Sequence, residues 1–192
     1  MAIDLRCSPY NALIRKPPLR GARVLARGAF GVVFERESGK GSVLKLTKDP
    51  ATRWLLCESG IESPAFPRVL RDFGVVWQDR SFGLDLFRIE RLTPIHRTRH
   101  KHLVAIAHRL ESIFFREKRF SDVVRCVRRE RLVSRVLLDA LASLLRFAGE
   151  YRVGADLHEA NLMVRESTGE LVLSDPVFSE RAYNKAMRSG EL

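Results

Sequence analysis

Apolar positions along the chain change their period twice. From about 22 to 92 they fall in short runs broken by glycine and polar clusters: VLA (24–26), VVF (32–34), LKL (44–46), FPRVLRDFGVVW (66–77) and LFRIERL (86–92). Runs of this length bounded by turn residues predict β-strands, and here they predict a five-stranded β-rich lobe. From 102 the spacing becomes three and four. HLVAIAHRLESIFF (102–115) and SDVVRCVRRERLVSRVLLDALASLLRFAG (121–149) predict two helices, the second nearly thirty residues long, with Ser121 and Asp122 as its cap and Gly149 as its stop. Their leucine and valine stripes are expected to be core. DPATRWLLCESGI (49–61) opens on Asp49 and Pro50, a cap and a first helical residue, and predicts a short helix. After 150 the short runs return as LMV (162–164) and LVL (171–173), with a turn at Gly169 between them. Pro17-Pro18 predicts an extended arm leading into the first strand. The fold class read from this pattern is α+β, in one domain over 1–192: a β-rich part over about 20–92 and a helical part over about 93–192.

Composition narrows the setting. Cys7, Cys57 and Cys126 are odd in number, widely spaced and outside any metal-ligand pattern, which points to a reducing cytosol. The first twenty residues lack an apolar signal core, and no run approaches the ~20 apolar residues of a membrane span. The formal charge of +11 is unevenly placed: residues 88–135 hold 14 Lys and Arg against 5 Asp and Glu, and four of the five histidines. HRTRHKH (96–102) and RCVRRERLVSR (125–135) would make a basic face able to steer nucleic acid, an acidic protein or a nucleic-acid-bound enzyme toward the chain. No aromatic interleaving or groove-reading motif accompanies it, so sequence-specific DNA binding is not expected.

Two segments carry candidate chemistry. GADLHEANLMVRESTGELVLSDPV (154–177) places Asp156, Asn161 and Asp175 on a strand-loop-strand hairpin. A carboxylate that accepts or orients a hydroxyl, with an amide and a second carboxylate that hold magnesium on phosphates, is the set that phosphoryl transfer requires. Taken alone, such residues also serve turns and caps. Far upstream, VLARGAFGVVFERESGKGSVLKL (24–46) reads as three strands, with a glycine turn at Gly28 and Gly31, a polar turn around 39–41, and Lys45 on the third strand. Glycines let backbone N–H groups approach phosphate oxygens, Phe30 between them can cover the loop tip, and a lysine within an apolar strand needs a partner if it faces inward.

In this order and spacing the two segments resemble the protein kinase-like fold, and DLHEAN is shared with its aminoglycoside phosphotransferase-like branch. DLHEANLM followed by LSDPVF is most similar to the early-gene serine/threonine protein kinases of T-seven-like bacteriophages, over most of 22–183. The resemblance implies a minimal kinase-like fold, with a small β-rich N-terminal lobe and a truncated helical C-terminal lobe, that uses ATP and Mg2+. It makes Asp156 the catalytic aspartate, Lys45 the phosphate-anchoring lysine, and Asn161 and Asp175 the metal ligands. Glu58, with Glu62 in reserve, would fix the lysine. Gly28, Ala29, Phe30, Gly31 and Val33 would cover the nucleotide, and Glu90 to Leu92 would be the hinge at adenine.

The departures carry meaning too. Ala26 replaces the first loop glycine, and Gly154-Ala155 replaces the His-Arg that would read a phosphorylated loop. Pro176-Val177 replaces Phe-Gly, and proline fixes φ where other kinases flip. The resemblance implies a phage-encoded enzyme in the host bacterial cytoplasm, acting on host proteins of transcription, RNA processing or translation. Two alternatives are a small-molecule phosphotransferase of the aminoglycoside-kinase type and a kinase-shaped inhibitor of a host enzyme that does no chemistry.

Overall fold

The short apolar runs become strands because alternation sends their apolar side chains to a buried face, and in Ser42–Thr47 to two. The computed structural model describes residues 9–36, 39, 41–78, 82–117 and 119–188. In it, β1 (Arg23–Arg27), β2 (Gly31–Glu35), β3 (Ser42–Thr47), β4 (Val69–Gln78) and β5 (Gly83–Glu90) form an antiparallel sheet in the order β1-β2-β3-β5-β4. Five strands were expected here, and five form. Successive side chains point to opposite faces of a strand, so β3 feeds two cores. Leu44 and Leu46 join Val32, Phe34, Leu84 and Leu86 on one face. Val43 meets Phe87 and Ile89 on the other, the face that alternation gives to Lys45.

The N-terminal segment does not run as an extended arm. Residues Tyr10–Ile14 form a helical turn, α1, and Leu19 is only 2% exposed in the first of these cores, where Tyr10, Leu13 and Ile14 also pack. The prolines bend the chain so that apolar residues on both sides of them reach the sheet, a pairing that Pro17-Pro18 by itself does not disclose. Residues 1–8, Cys7 among them, and Lys40 of the expected 39–41 turn lie outside the described residues.

After β3 the expected short helix forms as α2 (Pro50–Arg53), continued by a π-helical turn, Trp54–Glu58. Asp49 caps it: its Oδ1 accepts the N–H of Ala51 at 2.9 Å. Arg53 donates to both carboxylate oxygens of Asp72 on β4 and to Asp85 on β5, and the Asp72 hydrogen bonds push its guanidinium pKa further up.

The chain divides into two compact units. One holds the described residues up to Arg53, with Arg68–Arg91 and those from Ser179 on; the other holds Trp54–Pro67 and Leu92–Phe178. The expected division near residue 92 falls on one of these boundaries, while 54–67 and the last helix, α6 (Glu180–Arg188), sit on opposite sides from that reading.

In the second unit, three helices replace the expected two: α3 (Lys101–Arg116), α4 (Phe120–Glu130) and α5 (Arg135–Tyr151). The long repeat is broken at Arg131, which takes the left-handed conformation (φ 50°), and Ser134 starts a new helix by accepting the N–H of Leu137 at 3.3 Å. From Val127 to Leu132 the apolar spacing lengthens to five, a slip at the break between two stretches that each keep the three-four repeat. The expected ends also shift. No side chain caps α4, and Gly149 lies inside α5, whose last turn is held by Tyr151 stacked on Phe147 at 4.5 Å. The apolar stripes are core as expected: Leu103, Ala107, Leu110 and Ile113 on α3, Val123, Val124 and Val127 on α4, and Leu137, Leu141, Leu144 and Phe147 on α5 are buried.

The same unit carries β6 (Thr93–Pro94), β8 (Leu162–Arg165) and β9 (Glu170–Leu173) as one sheet in the order β6-β8-β9, and β7 (Val153–Ala155) paired with β10 (Val177–Ser179), whose last residue opens the final segment of the first unit. Arg165 is buried. It binds Glu170 at 2.5 Å and donates to the carbonyl of Pro64, while Leu173 N–H donates to Ala65.

Because Leu19 fills a core position, Leu19→Ala should cost about 2–5 kcal/mol. Urea unfolding followed by circular dichroism measures this, and a loss near zero would return the segment to the status of a loose arm.

Candidate functional site

Three hydrogen-bonded steps bring the chemistry-bearing residues of 154–177 together. First, the pairing of β7 with β10 sets the Phe178 ring on Gly154: a Cβ built there would lie 2.2 Å from the ring's Cζ, so any side chain at 154 would have to move that ring. Second, Asp156 N–H donates to the Pro176 carbonyl at 2.8 Å as the chain leaves β7. Third, after a single 3-10 turn at Glu159–Asn161, the Asn161 carbonyl accepts both the N–H and the hydroxyl of Ser174, at 2.8 and 3.1 Å. The expected hairpin then follows: β8 and β9 pair from Leu162↔Leu173 to Arg165↔Glu170, with Gly169 in the left-handed region at their turn. Asp175 follows directly. Helix α3 anchors the loop from below, its Glu111 carboxylate accepting Glu159 N–H at 2.8 Å.

The side chains are coupled. Asn161 Nδ2 donates to the Asp156 backbone carbonyl at 3.0 Å and lies 3.1 Å from His158 Nε2. His158 Nε2 is also 3.4 Å from Asp156 Oδ1, with both side chains 38% exposed. Burial raises the Asp156 pKa above the usual carboxylate range; the charge of Asp175 adds to this, and His158 and Asn161 oppose it. Such a carboxylate takes up a proton more readily than an ordinary aspartate. Two carboxylates that repel one another beside an amide also make a hard oxygen set. Among the described residues no three His, Cys, Asp or Glu side chains cluster to hold a metal. Magnesium, however, binds through one or two carboxylates together with water and phosphate oxygens, and Asn161 and Asp175 fit that demand.

The first unit holds the remaining candidates. Gly28 N–H donates to the Gly31 carbonyl at 2.9 Å, closing the turn through Ala29 and Phe30, and the Phe30 carbonyl accepts from Lys48 N–H. A Cβ on Gly31 would meet the Leu46 carbonyl at 3.2 Å, so β2 and β3 approach closely there. A bulge between Val24 and Ala26 stands where the first loop glycine was missing. Val33 pairs with Lys45, which is buried on β3. Glu90 ends β5 and accepts Arg68 N–H. Leu92, Glu58 and Glu62 belong to the second unit, with both glutamates exposed.

Three contributors were missed by sequence reading: His158, Glu111 and the Gly154-Phe178 pair. DLHEAN displays His158, which could have been singled out by its place between the two polar residues it touches. Glu111 had no such signal, because it lies on another element 48 positions away.

The basic 88–135 region is partly self-neutralised. Arg109 pairs with Glu130, Arg116 with Glu117, Arg125 with Asp122 and Arg99 with Glu166, while Arg128 and Arg131 remain exposed. Among the described residues, no helix is long and apolar enough to cross a membrane. Compared with known proteins, the chain matches no family model and has no significant match to a curated protein.

The raised pKa of Asp156 means that its ionised form costs the folded state free energy. That cost is full above the raised value and is relieved as pH falls through it toward the unfolded value. Asp156→Asn should therefore raise the melting temperature at neutral pH, by roughly 2–4 °C for each kcal/mol relieved. The gain should vanish in acid, where wild type is protonated in both states. Calorimetry that shows no gain at pH 7 would overturn the assigned environment.

Proposed function

We propose that the chain is an ATP-dependent serine/threonine protein kinase of the minimal, phage type, acting on host bacterial proteins in the host cytoplasm. The observation that carries the reading is the convergence of Asp156, Asn161 and Asp175, with the Asp156 carboxyl made more basic by burial and by its neighbour. The α+β architecture, with its five-stranded antiparallel sheet, is compatible with a kinase-like fold.

In this reading Asp156 accepts the proton of the attacking hydroxyl as the oxygen bonds to the γ-phosphorus and the bond to ADP breaks. Asn161 and Asp175 would hold magnesium, which when bound screens the phosphate charge. Asn161 is suited to this because its Nδ2 is engaged by Asp156 and His158, which directs the amide oxygen away from them. Glu111 holds the loop through the Glu159 amide. Lys45 receives the role of phosphate anchor from its motif, and Gly28 to Gly31 with Val33 that of covering the nucleotide. The basic 88–135 face would gather partners by charge, including nucleic-acid-bound enzymes of transcription, RNA processing or translation.

Asp156→Ala should lower phosphoryl transfer from radiolabelled ATP to host lysate proteins by about 10²–10⁴-fold, the usual worth of a placed acid-base group. Transfer at near wild-type rate would remove Asp156 from the mechanism.

Asp175→Ala should weaken nucleotide binding far more in magnesium than in EDTA. Titration calorimetry giving equal losses in the two conditions would make Asp175 structural.

A further inference from the structure

Strands β4 and β5 sort their charges by face. Asp72 and Asp85 turn to one side, where Arg53 takes both carboxylates. Arg71 and Arg88 are register partners on the other side, with Leu44 of β3 next across. Like charges set directly opposite on an antiparallel pair repel, so the pair is unfavourable until an anion joins it.

Beside the pair lies a cavity of about 130 Å³, lined by Pro18, Leu44 and Phe73 together with Arg36, Arg88 and Ser42. It falls within the first unit, on the sheet face opposite to that of Lys45. Arg88 Nε donates to Ser42 Oγ at 3.0 Å, and that hydroxyl, 7% exposed, donates in turn to the Gly39 carbonyl. A buried group thus fixes the guanidinium at the cavity and leaves its two terminal amino groups for a ligand. Arg71 lies over the Phe73 ring, 4.7 Å from its centroid. None of the three arginines has a carboxylate partner among the described residues, and no acidic side chain lines the cavity. The acids nearest in sequence or register are engaged elsewhere: Glu35 by Arg23 and Arg91, Asp72 by Arg53, and Glu90 by the Arg68 amide. Glu37 and Lys40 lie outside the described residues and cancel in formal charge.

Three guanidiniums without an acid suit more than one negative charge, and their planar forks match phosphate oxygens. The volume is well below the roughly 300–1,000 Å³ of small-molecule sites, so it admits one anionic group and not a nucleotide. Nucleic acid fits less well, because Phe73, the one aromatic ring in the lining, already carries Arg71. We infer that this cavity binds a single phosphate dianion, either free or as a monoester on a protein side chain.

Binding here requires no phosphoryl transfer, so it is tested with the full chain in the absence of nucleotide and magnesium. Titration calorimetry with inorganic phosphate, at neutral pH and constant ionic strength, should show one site that prefers phosphate to acetate by about 10-fold or more. Arg71→Gln with Arg88→Gln should weaken phosphate about 10- to 100-fold, the worth of a lost charged hydrogen bond. Because the pair repels when empty, this double variant should resist urea no less than wild type does without phosphate, and phosphate should raise the midpoint of wild type alone. Arg36→Gln should weaken phosphate by itself, which keeps the site testable should the double variant fail to fold. Arg128→Gln with Arg131→Gln, the same charge change on exposed residues of the other unit, should leave phosphate binding unchanged.

Equal losses in the two double variants would reduce the effect to net charge and overturn the site, as would equal binding of acetate and phosphate. Loss on Lys45→Met, with the arginine variants unaffected, would move the phosphate to the opposite face and overturn it as well. A short phosphoserine peptide of glycine and alanine distinguishes the sources: tighter binding than inorganic phosphate assigns the group to a protein, weaker binding to the free ion, and both support the site. An oligothymidylate that displaces phosphate and binds wild type and the Arg71, Arg88 double variant alike would make the surface a general polyanion binder and overturn the proposal.

Discussion

The candidate site depends on main-chain pairing between the 156–161 loop and the 174–177 segment. Asp156 N–H to the Pro176 carbonyl, and Ser174 N–H and hydroxyl to the Asn161 carbonyl, connect these stretches largely through groups that every residue possesses. Each bond contributes only about 0.5–1.5 kcal/mol net, yet leaving such a group buried and unpaired would cost about 1–3. That asymmetry fixes the register. Side chains then follow from the backbone: once the bonds form, the carboxylates of Asp156 and Asp175 feel one another despite their repulsion. The unfavourable term is local, and the pairing, the hairpin beside it and the buried Arg165 bridge to Pro64 and Phe66 offset it.

Much of this was legible in the chain, for reasons that differ by element. The strands of the five-stranded sheet were readable because each is a short apolar run between glycines or polar clusters, and the β8–β9 hairpin because Gly169 marks its turn. The helices were readable in kind but not in number. The left-handed Arg131 coincides with a step of five from Val127 to Leu132, a slip easily passed over in an apolar repeat that is regular on both sides of it. The N-terminal segment failed for the opposite reason. Pro17-Pro18 gives a strong local signal for extension, but burial of Leu19 against the sheet prevails over it.

The site was legible where its members share one stretch of chain. Asp156, Asn161 and Asp175 lie within twenty residues, and a hairpin suffices to gather them. Glu111 and the Phe178 ring could not be read this way. Glu111 acts on the loop from another helix, and Gly154 looks like a turn glycine until the ring is seen where a Cβ would stand. Periodicity places a residue on a face of its own element, whereas the partner it meets across space depends on packing.

Pro176 shows how one residue can serve both the backbone and the chemistry. It has no N–H, so it leaves no donor to satisfy in a half-buried loop, and its ring holds φ near −65°. Its carbonyl is taken by Asp156 N–H. Reorienting the Asp175-Pro176 stretch would therefore require a φ change the ring forbids, or the loss of the bond that seats Asp156, or both. A residue such as glycine at 176 would remove the first barrier and leave only the second, worth about 1 kcal/mol and readily broken by thermal motion. The two restraints together narrow the ways in which Asp175 can be set beside Asp156. On the neighbouring strand Gly154 leaves room for the Phe178 ring, so at this edge too the backbone pairing of β7 with β10 organises the site.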